Sequence, residues 1–487
     1  MLGMYVHTHW AYNRPYAART WTLQDWEGFL DGIARLGYDL VMVWPQLDCM
    51  PPEPMAGDRA FLGKLHQVID LAHDRFGLKV LLTLCPNTVG NEKAAGYTFE
   101  ERPYFVCEKK VNPADGGEVG AFLAARRAQL SLVGNADGIA IIDSDPGGYI
   151  GSTNAEFVGL VQAQVAVMRS LNPTAEFVYW MLAGWESYNR FWEKARDGDE
   201  AHVWEEWHGD DFVETLTLMR EQLDEPWWLL GWLDRHQAAI EQLGLSDKAL
   251  SYPYGVIEGE PTFPLTNWAP DNVAHTVRQH SRAMFPRGIM ANAQTHCLQL
   301  PHIAAFAHFA QKEPSDGFDL VAFADRLLPG LGETIASGWS VLETHEPETQ
   351  RRAAVVVRQA AARVGGTGDL GGLLFGDPER FLIDLALNLE LRAALGDFGR
   401  AVEADSAPVP ALRALLDVLA PYQRRTGFAD AYGGALHTGF NAPLERIADP
   451  PLKQALADFT DWREPAIRNG LLLRLLDEVE AYCARHA

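Results

Sequence analysis

Eight short apolar runs, each followed by a segment of helical periodicity, occupy residues 1–312 and predict a closed (β/α)8 barrel, a TIM barrel of the α/β class. From residue 313 to 487 the alternation stops and only helical patterns remain, which predicts a mainly α-helical C-terminal domain. A length of 487 residues supports this division, because it exceeds one ordinary domain and leaves each part enough chain to bury a core. A doubly wound open sheet is the competing arrangement. It rarely needs eight such units and usually carries a glycine-rich first turn, which is missing here.

The first strand is expected at Gly3–Thr8. The N-terminus, Met1-Leu-Gly-Met-Tyr-Val-His-Thr-His-Trp10, has neither a basic stretch nor a small-residue cleavage site, so it reads as a strand and not as a signal peptide. Further strands are expected at Asp39–Trp44, Lys79–Leu84, Gly138–Asp143, Glu176–Met181, Trp227–Gly231, Ala249–Pro253 and Gly288–Asn292. Amphipathic helices fill the intervals at about 23–36, 58–76, 117–134, 153–171, 209–223, 233–243, 271–284 and 301–311. Thr153-x-x-Glu156 is a capping box, which gives Glu156 a structural role. Beyond residue 312 the helical runs are Phe318–Leu328, Glu333–Thr344, Glu348–Val364, Phe381–Leu395, Ala411–Ala420 and Ala466–Ala484. Gly366-Thr-Gly-Asp-Leu-Gly371 spells a dinucleotide-binding pattern, but it follows a helix where that motif needs a strand. It reads as an inter-helix loop.

Composition narrows the function classes. A net charge of −24 argues against nucleic acid and anionic membranes as partners. No apolar run approaches the roughly 20 residues that span a bilayer. Five cysteines without close pairing suit a reducing cytosol better than a disulfide framework or a zinc knuckle, so a cytoplasmic location is expected. Fifteen tryptophans are more than a core alone explains.

The segment Ala136-Asp-Gly-Ile-Ala-Ile-Ile-Asp-Ser-Asp-Pro-Gly-Gly-Tyr149 carries the chemistry. An apolar run ends in Asp143 and Asp145, which as residues two apart are expected to leave the strand on one face. Pro146 favours an extended backbone at Asp145, and Gly147 and Gly148 permit a sharp turn. Paired carboxylates suit acid/base work, because the charge on one raises the pKa of the other. Barrel chemistry sits at the C-terminal strand ends, so these are read together. They supply His7, His9 and Trp10, then Trp44 and Asp48, Asn87, Trp180 and Trp185, Trp232, Tyr252, and finally Asn292 and His296. Glu258 and Glu260 lie in the loop after strand seven. Aromatic rings with amides and carboxylates suit a sugar, whose C–H face stacks while its hydroxyls take the polar groups. These strand-end residues are the substrate-binding candidates. The stretch from Gly184 to Gly209, with Trp185, Trp192, Trp204 and Trp207, looks like a lid or side wall.

A barrel with two acidic residues after strand four, a polar and aromatic rim and a helical C-terminal domain resembles the β-N-acetylhexosaminidase and O-GlcNAcase-like glycoside hydrolases, and is also similar to the α-glucuronidase type. The segment Met290-Ala-Asn-Ala-Gln-Thr-His-Cys-Leu-Gln-Leu-Pro301 fits the last barrel strand of such proteins, and the resemblance covers roughly residues 1–310. In those hexosaminidases the two acidic residues are adjacent; here Ser144 separates them. The resemblance implies a glycosidase with a carbohydrate substrate, and two mechanisms are open. In one, Asp143 orients or polarises a substrate group while Asp145 protonates the leaving oxygen. In the other, an acid after strand four works with Glu258 or Glu260.

Two readings from other classes remain. His7-Thr-His9 is the H-x-H arrangement that opens a metal site in amidohydrolase-like barrels, but strands five, six and eight end in Trp180, Trp232 and Asn292 instead of the further ligands. No metal and no cofactor are therefore expected. The other reading is a non-catalytic carbohydrate-binding barrel. The helical domain is the candidate surface for a homo-oligomer.

Overall fold

Strands form where the β-branched and aromatic runs stand: β1 (Leu2–His7), β2 (Leu40–Trp44), β3 (Lys79–Leu84), β4 (Gly138–Ile142), β5 (Glu176–Trp180), β6 (Trp227–Gly231), β7 (Ala249–Ser251) and β8 (Gly288–Ala293). In the computed structural model they close into a parallel barrel in sequence order, β8 pairing back to β1 from Leu2↔Ile289 to Val6↔Ala293. The structure describes every residue except 11, 104–105, 145, 199–208, 259–265, 267, 281–284, 312–316, 405–407, 428–445, 461–470 and 487. β7 stops two residues short of its expected end at Pro253, which has no N–H for a ladder. Thr88–Gly90 and Glu108–Lys110 form an antiparallel hairpin after β3.

Alternation along each strand sorts the core into two layers. Tyr5, Trp44, Ile142, Trp180, Leu230 and Tyr252 fill the barrel interior. Val6, Val43, Ile141, Tyr179, Leu229 and Ala291 face the helices. This alternation decides which strand-end side chains reach the mouth.

Helices α1 (Leu23–Leu36), α2 (Ala56–Leu71), α3 (Gly116–Leu130), α4 (Asn154–Leu171), α5 (Trp185–Asp197), α6 (Gly209–Gln222), α7 (Leu233–Gln242), α8 (Pro270–Gln279) and α9 (Leu300–Gln311) accompany the strands. Thr22 with Asp25 and Thr153 with Glu156 make reciprocal capping boxes at α1 and α4, so Glu156 is spent on the helix start. The stretch from Gly184 differs from the expected open excursion, because it begins with α5; Trp204 and Trp207 lie outside the described residues.

Among the described residues seven further helices follow: α10 (Leu320–Leu327), α11 (Gly332–Ser340), α12 (Pro347–Ala361), α13 (Pro378–Glu403), α14 (Pro408–Thr426), α15 (Pro450–Thr460) and α16 (Leu471–His486). The 26-residue α13, started by Asp377 and Pro378, is the axis on which α12 and α14 pack. Gly366–Gly371 is an inter-helix loop, as expected, and its neighbour Gly372 meets Gly28 of α1 so closely that a Cβ on either would lie 2.5–2.7 Å from the other's carbonyl oxygen. α13 also reaches two loops at the C-terminal end of the barrel. Asp384 accepts from Tyr16 Oη at 2.7 Å, and Asn388 accepts from the Thr266 N–H at 3.0 Å. Among the described residues no helix is long and apolar enough to cross a membrane.

Candidate functional site

The inward alternation of β1, β2, β5 and β7 builds an aromatic floor under the mouth. The Trp180 ring lies 5.4 Å from Tyr5, 6.0 Å from Trp44 and 5.0 Å from Tyr252, all edge-on. Trp232 stacks on Tyr254 at 5.7 Å beside it. His7 and His9 stand on this floor: Trp10 stacks on His7 at 5.4 Å, and Trp44 packs edge-on to His9 at 4.6 Å. Trp10 Nε1 in turn donates to Gln294 Oε1 at 2.6 Å. The structure therefore brings His7, His9, Trp10, Trp44, Trp180, Trp232, Tyr252 and Asn292 to one end of the barrel.

Among the described residues, the buried polar atoms at this end without a partner include the Trp180 indole N–H and the Asn292 Oδ1. Asn292 spends its N–H on the Glu258 carbonyl at 2.6 Å. One donor and one acceptor left unpaired in a buried site call for a ligand or water that offers both.

The turn after β4 is clamped from two sides. Asn87 Nδ2 donates to the Gly148 carbonyl at 3.2 Å and to the Val111 carbonyl at 2.8 Å. From α5, Asn189 Oδ1 accepts the Tyr149 N–H at 2.7 Å. Gly148 has φ +78°, and a Cβ there would fall 2.6 Å from Asn189 Oδ1 and 2.9 Å from Tyr188. The second glycine of the motif is thus demanded by both conformation and packing. Asn87 is part of this clamp, a different task from the direct sugar contact expected of it. Asp145 and Glu260 lie outside the described residues.

Four expectations are corrected. Asp143 continues the alternation of Ile139 and Ile141, which face the helices, and so leaves the mouth. Its buried carboxylate accepts from Ser144 Oγ at 2.7 Å, Tyr179 Oη at 2.8 Å and the Leu182 and Ala183 N–H groups at 3.1 Å. Burial pushes its pKa up against those donors. Asp48 is fully buried in an ion pair with Arg126 at 2.7 Å and accepts the Trp44 indole N–H at 2.8 Å. It holds the floor from behind instead of meeting a sugar. Trp185 has no exposed surface, stacks on Phe157 at 5.0 Å and donates to Ser152 Oγ, so it is core and not lid. His296 lies between strand and helix against Trp21 and Phe29, its Nε2 on the Tyr5 carbonyl, and burial takes its pKa down to about 4.

Glu258 is anchored to the residues that follow β8. Its carboxylate accepts the Gln294 and Thr295 N–H groups and the Thr295 hydroxyl, each at 2.6 Å, and 9% of the residue stays exposed. Burial raises its pKa while these donors pull it back.

Among the described residues one cluster has the donors for a cation: Glu186, Asp211 and Glu214. These carboxylates already serve the starts of α4 and α5. Glu186 accepts the Asn154 N–H, Asp211 accepts the Ser187 N–H, and Arg190 pairs with Asp211 at 3.0 Å.

No family model matches the chain. No curated protein matches it either. Solved structures do resemble it. A GH138 enzyme targeting pectin rhamnogalacturonan II matches at 9% identity over 88% of this chain and 62% of that one, with a TM-score of 0.45; the chain thus spans less than two thirds of that enzyme. An O-GlcNAc hydrolase of Thermobaculum terrenum matches at 10% identity over 98% and 96%, with a TM-score of 0.46. A glycoside hydrolase family 20 β-N-acetylglucosaminidase matches at 10% identity over 66% and 71%, with a TM-score of 0.37. The chain is similar to these glycoside hydrolases.

Sequence reasoning missed Tyr5, Asn189 and Arg19. Tyr5 shares the face of His7, and that alternation was a usable signal. Arg19, fully buried, donates to the carbonyls of Thr8, His9, Phe99, Glu100 and Arg102, and nothing in its sequence context marks it.

Proposed function

We propose that the chain is a glycosidase that hydrolyses an O-glycosidic bond at the C-terminal mouth of its barrel. The observation that carries this reading is the buried pair of unmatched polar atoms, Trp180 Nε1 and Asn292 Oδ1, at a floor of aromatic rings. A sugar hydroxyl both donates and accepts, and its ring presents a C–H face to aromatic rings, so one ligand class meets both demands. An amidohydrolase-like metal site gains no support from His7 and His9, whose rings bond to each other.

Of the two mechanisms, the placement of Asp143 favours the second. Asp145, next to Pro146 in the sequence, is the proposed general acid, and Glu258 the proposed nucleophile or base. Glu258 is suited to that work because three donors hold its carboxylate in place while burial keeps water scarce. His9, Trp10, Trp44, Trp180, Trp232, Tyr252 and Asn292 are the proposed substrate contacts, and His7 enters through its bond to His9.

A panel of aryl glycosides tests the reading. Turnover of at least one is expected, and Glu258→Gln should lower it by roughly 10²–10⁴. A binding-only barrel is the second reading, favoured by the engagement of Asp48 and Asp143 in structural contacts. It would show saccharide binding by calorimetry with no turnover of any glycoside.

A further inference from the structure

The backbone N–H of His9 points at Nδ1 of His7, 3.3 Å away. A donor must meet a lone pair, so Nδ1 of His7 carries no hydrogen, and a neutral ring then carries its one hydrogen on Nε2. His7 Nε2 lies 2.5 Å from His9 Nδ1. That hydrogen is therefore directed to the lone pair of His9 Nδ1, and the hydrogen of His9 is left on Nε2. Two tautomers follow, one after the other, from a single backbone donor.

We infer that His7 is a positioning residue that locks His9 in its Nε2–H tautomer, so that His9 meets the substrate as a hydrogen-bond donor. The use of that donor rests on the saccharide reading of the mouth; the lock itself does not.

The surroundings keep the rings and the chain in this arrangement. The two imidazoles stand at 82° with centroids 3.9 Å apart, Trp10 covers His7, and Trp44 packs on both. Between them Thr8 bonds its hydroxyl to the Trp44 carbonyl, while Arg19 holds the carbonyls of Thr8 and His9. Among the described residues the charged group facing the pair is the Arg19 guanidinium, and the titratable neighbour is His296. Burial and that positive charge both oppose a second proton on either ring. With the lone pairs of both rings engaged, His9 suits an acceptor oxygen of a sugar and neither a metal ion nor a proton to be abstracted at Nε2.

Long-range proton–nitrogen NMR on the full chain, labelled with ¹⁵N in its histidine rings, reads the tautomers directly. Between about pH 8 and about pH 6 the His9 Nδ1 is expected at a bare-nitrogen shift and Nε2 at a protonated one, with His7 showing the same pattern. His7→Phe should move both His9 nitrogens towards the average of two tautomers. His7→Gln, whose side-chain N–H reaches the same lone pair, should restore the wild-type pattern. Added zinc chloride should leave all four signals in place. A hydrogen on Nδ1 of His9, zinc-induced loss of these signals, or a folded His7→Phe variant with His9 unchanged would each overturn the lock. If His7→Phe fails to fold, the wild-type spectrum decides alone. Failure of the glycosidase reading looks different: no aryl glycoside turns over while the tautomers stand as stated.

Discussion

Asp143 and Glu258 show two jobs for a carboxylate in the same barrel. Asp143 ties the end of β4 to the chain after β5 through four donors, with no surface exposed. Asp143→Ala leaves the Tyr179 hydroxyl and the Leu182 N–H unpaired and buried, at about 1–3 kcal/mol each, and leaves the Ala183 N–H with Ser144 Oγ as its remaining acceptor. A urea titration should therefore show several kcal/mol of lost stability; an unchanged midpoint would mean the acid is not structural. Asp48→Asn belongs with it, since it strips the charge that neutralises buried Arg126, with an expected loss of about 3–5 kcal/mol. Glu258→Gln is the contrast. A glutamine can keep its oxygen on the Gln294 and Thr295 N–H groups and donate its amide to the Thr295 hydroxyl, so the fold should survive while turnover falls. Equal melting temperatures with unequal rates would separate the two roles.

At the scale of the element, the turn after β4 shows what was legible and what was not. All eight strands lie where the apolar runs stand, and the two glycines after Pro146 mark a real turn. The face on which Asp143 leaves was not legible. Residues two apart do share a face, but Gly-Ile-Ala-Ile-Ile is apolar on both sides, as strands covered by helices are, so the run itself does not say which face looks inward. Only the register with β3 and β5 decides it. Trp185 and His296 went astray for a related reason: aromatic residues at a strand end serve the helix layer as readily as the mouth. The clamp gives a prediction. Gly148→Ala needs a left-handed alanine and pushes a methyl into Asn189 and Tyr188, so stability should drop by about 1–3 kcal/mol. Asn189→Ala, which relaxes the clamp without adding bulk, should lower turnover more than it lowers the melting temperature. An Asn189→Ala variant with wild-type rates would remove the turn from the catalytic machinery.

For the whole molecule, the barrel and the later helices share one hydrophobic cluster that runs from Leu2 to Val479, and α13 holds loops after β1 and β7. A chain ended at residue 312 should therefore lose the cooperative unfolding transition of the full protein, and a calorimetric peak of ordinary sharpness from that fragment would refute the shared core. The same burial makes stability depend on pH. His7, His9, His296 and His302 are buried with their pKa values lowered, the last two to about 4, chiefly because a charge there would lose its water. Between those values and about 6.5 the unfolded chain binds protons that the folded chain refuses, so stability rises with pH across this window and is lost as pH falls through it. Each such group contributes up to about 1.4 kcal/mol per pH unit. Asp143 and Glu258, with values raised by burial, act in the opposite direction. Chemical denaturation from pH 7 to pH 5 should show a falling midpoint. His302→Gln, which keeps a polar group where His302 Nε2 accepts the Ala269 N–H, should flatten the fall by about one proton's worth. An unaltered slope in that variant would mean that His302 titrates in the folded protein as it does in water.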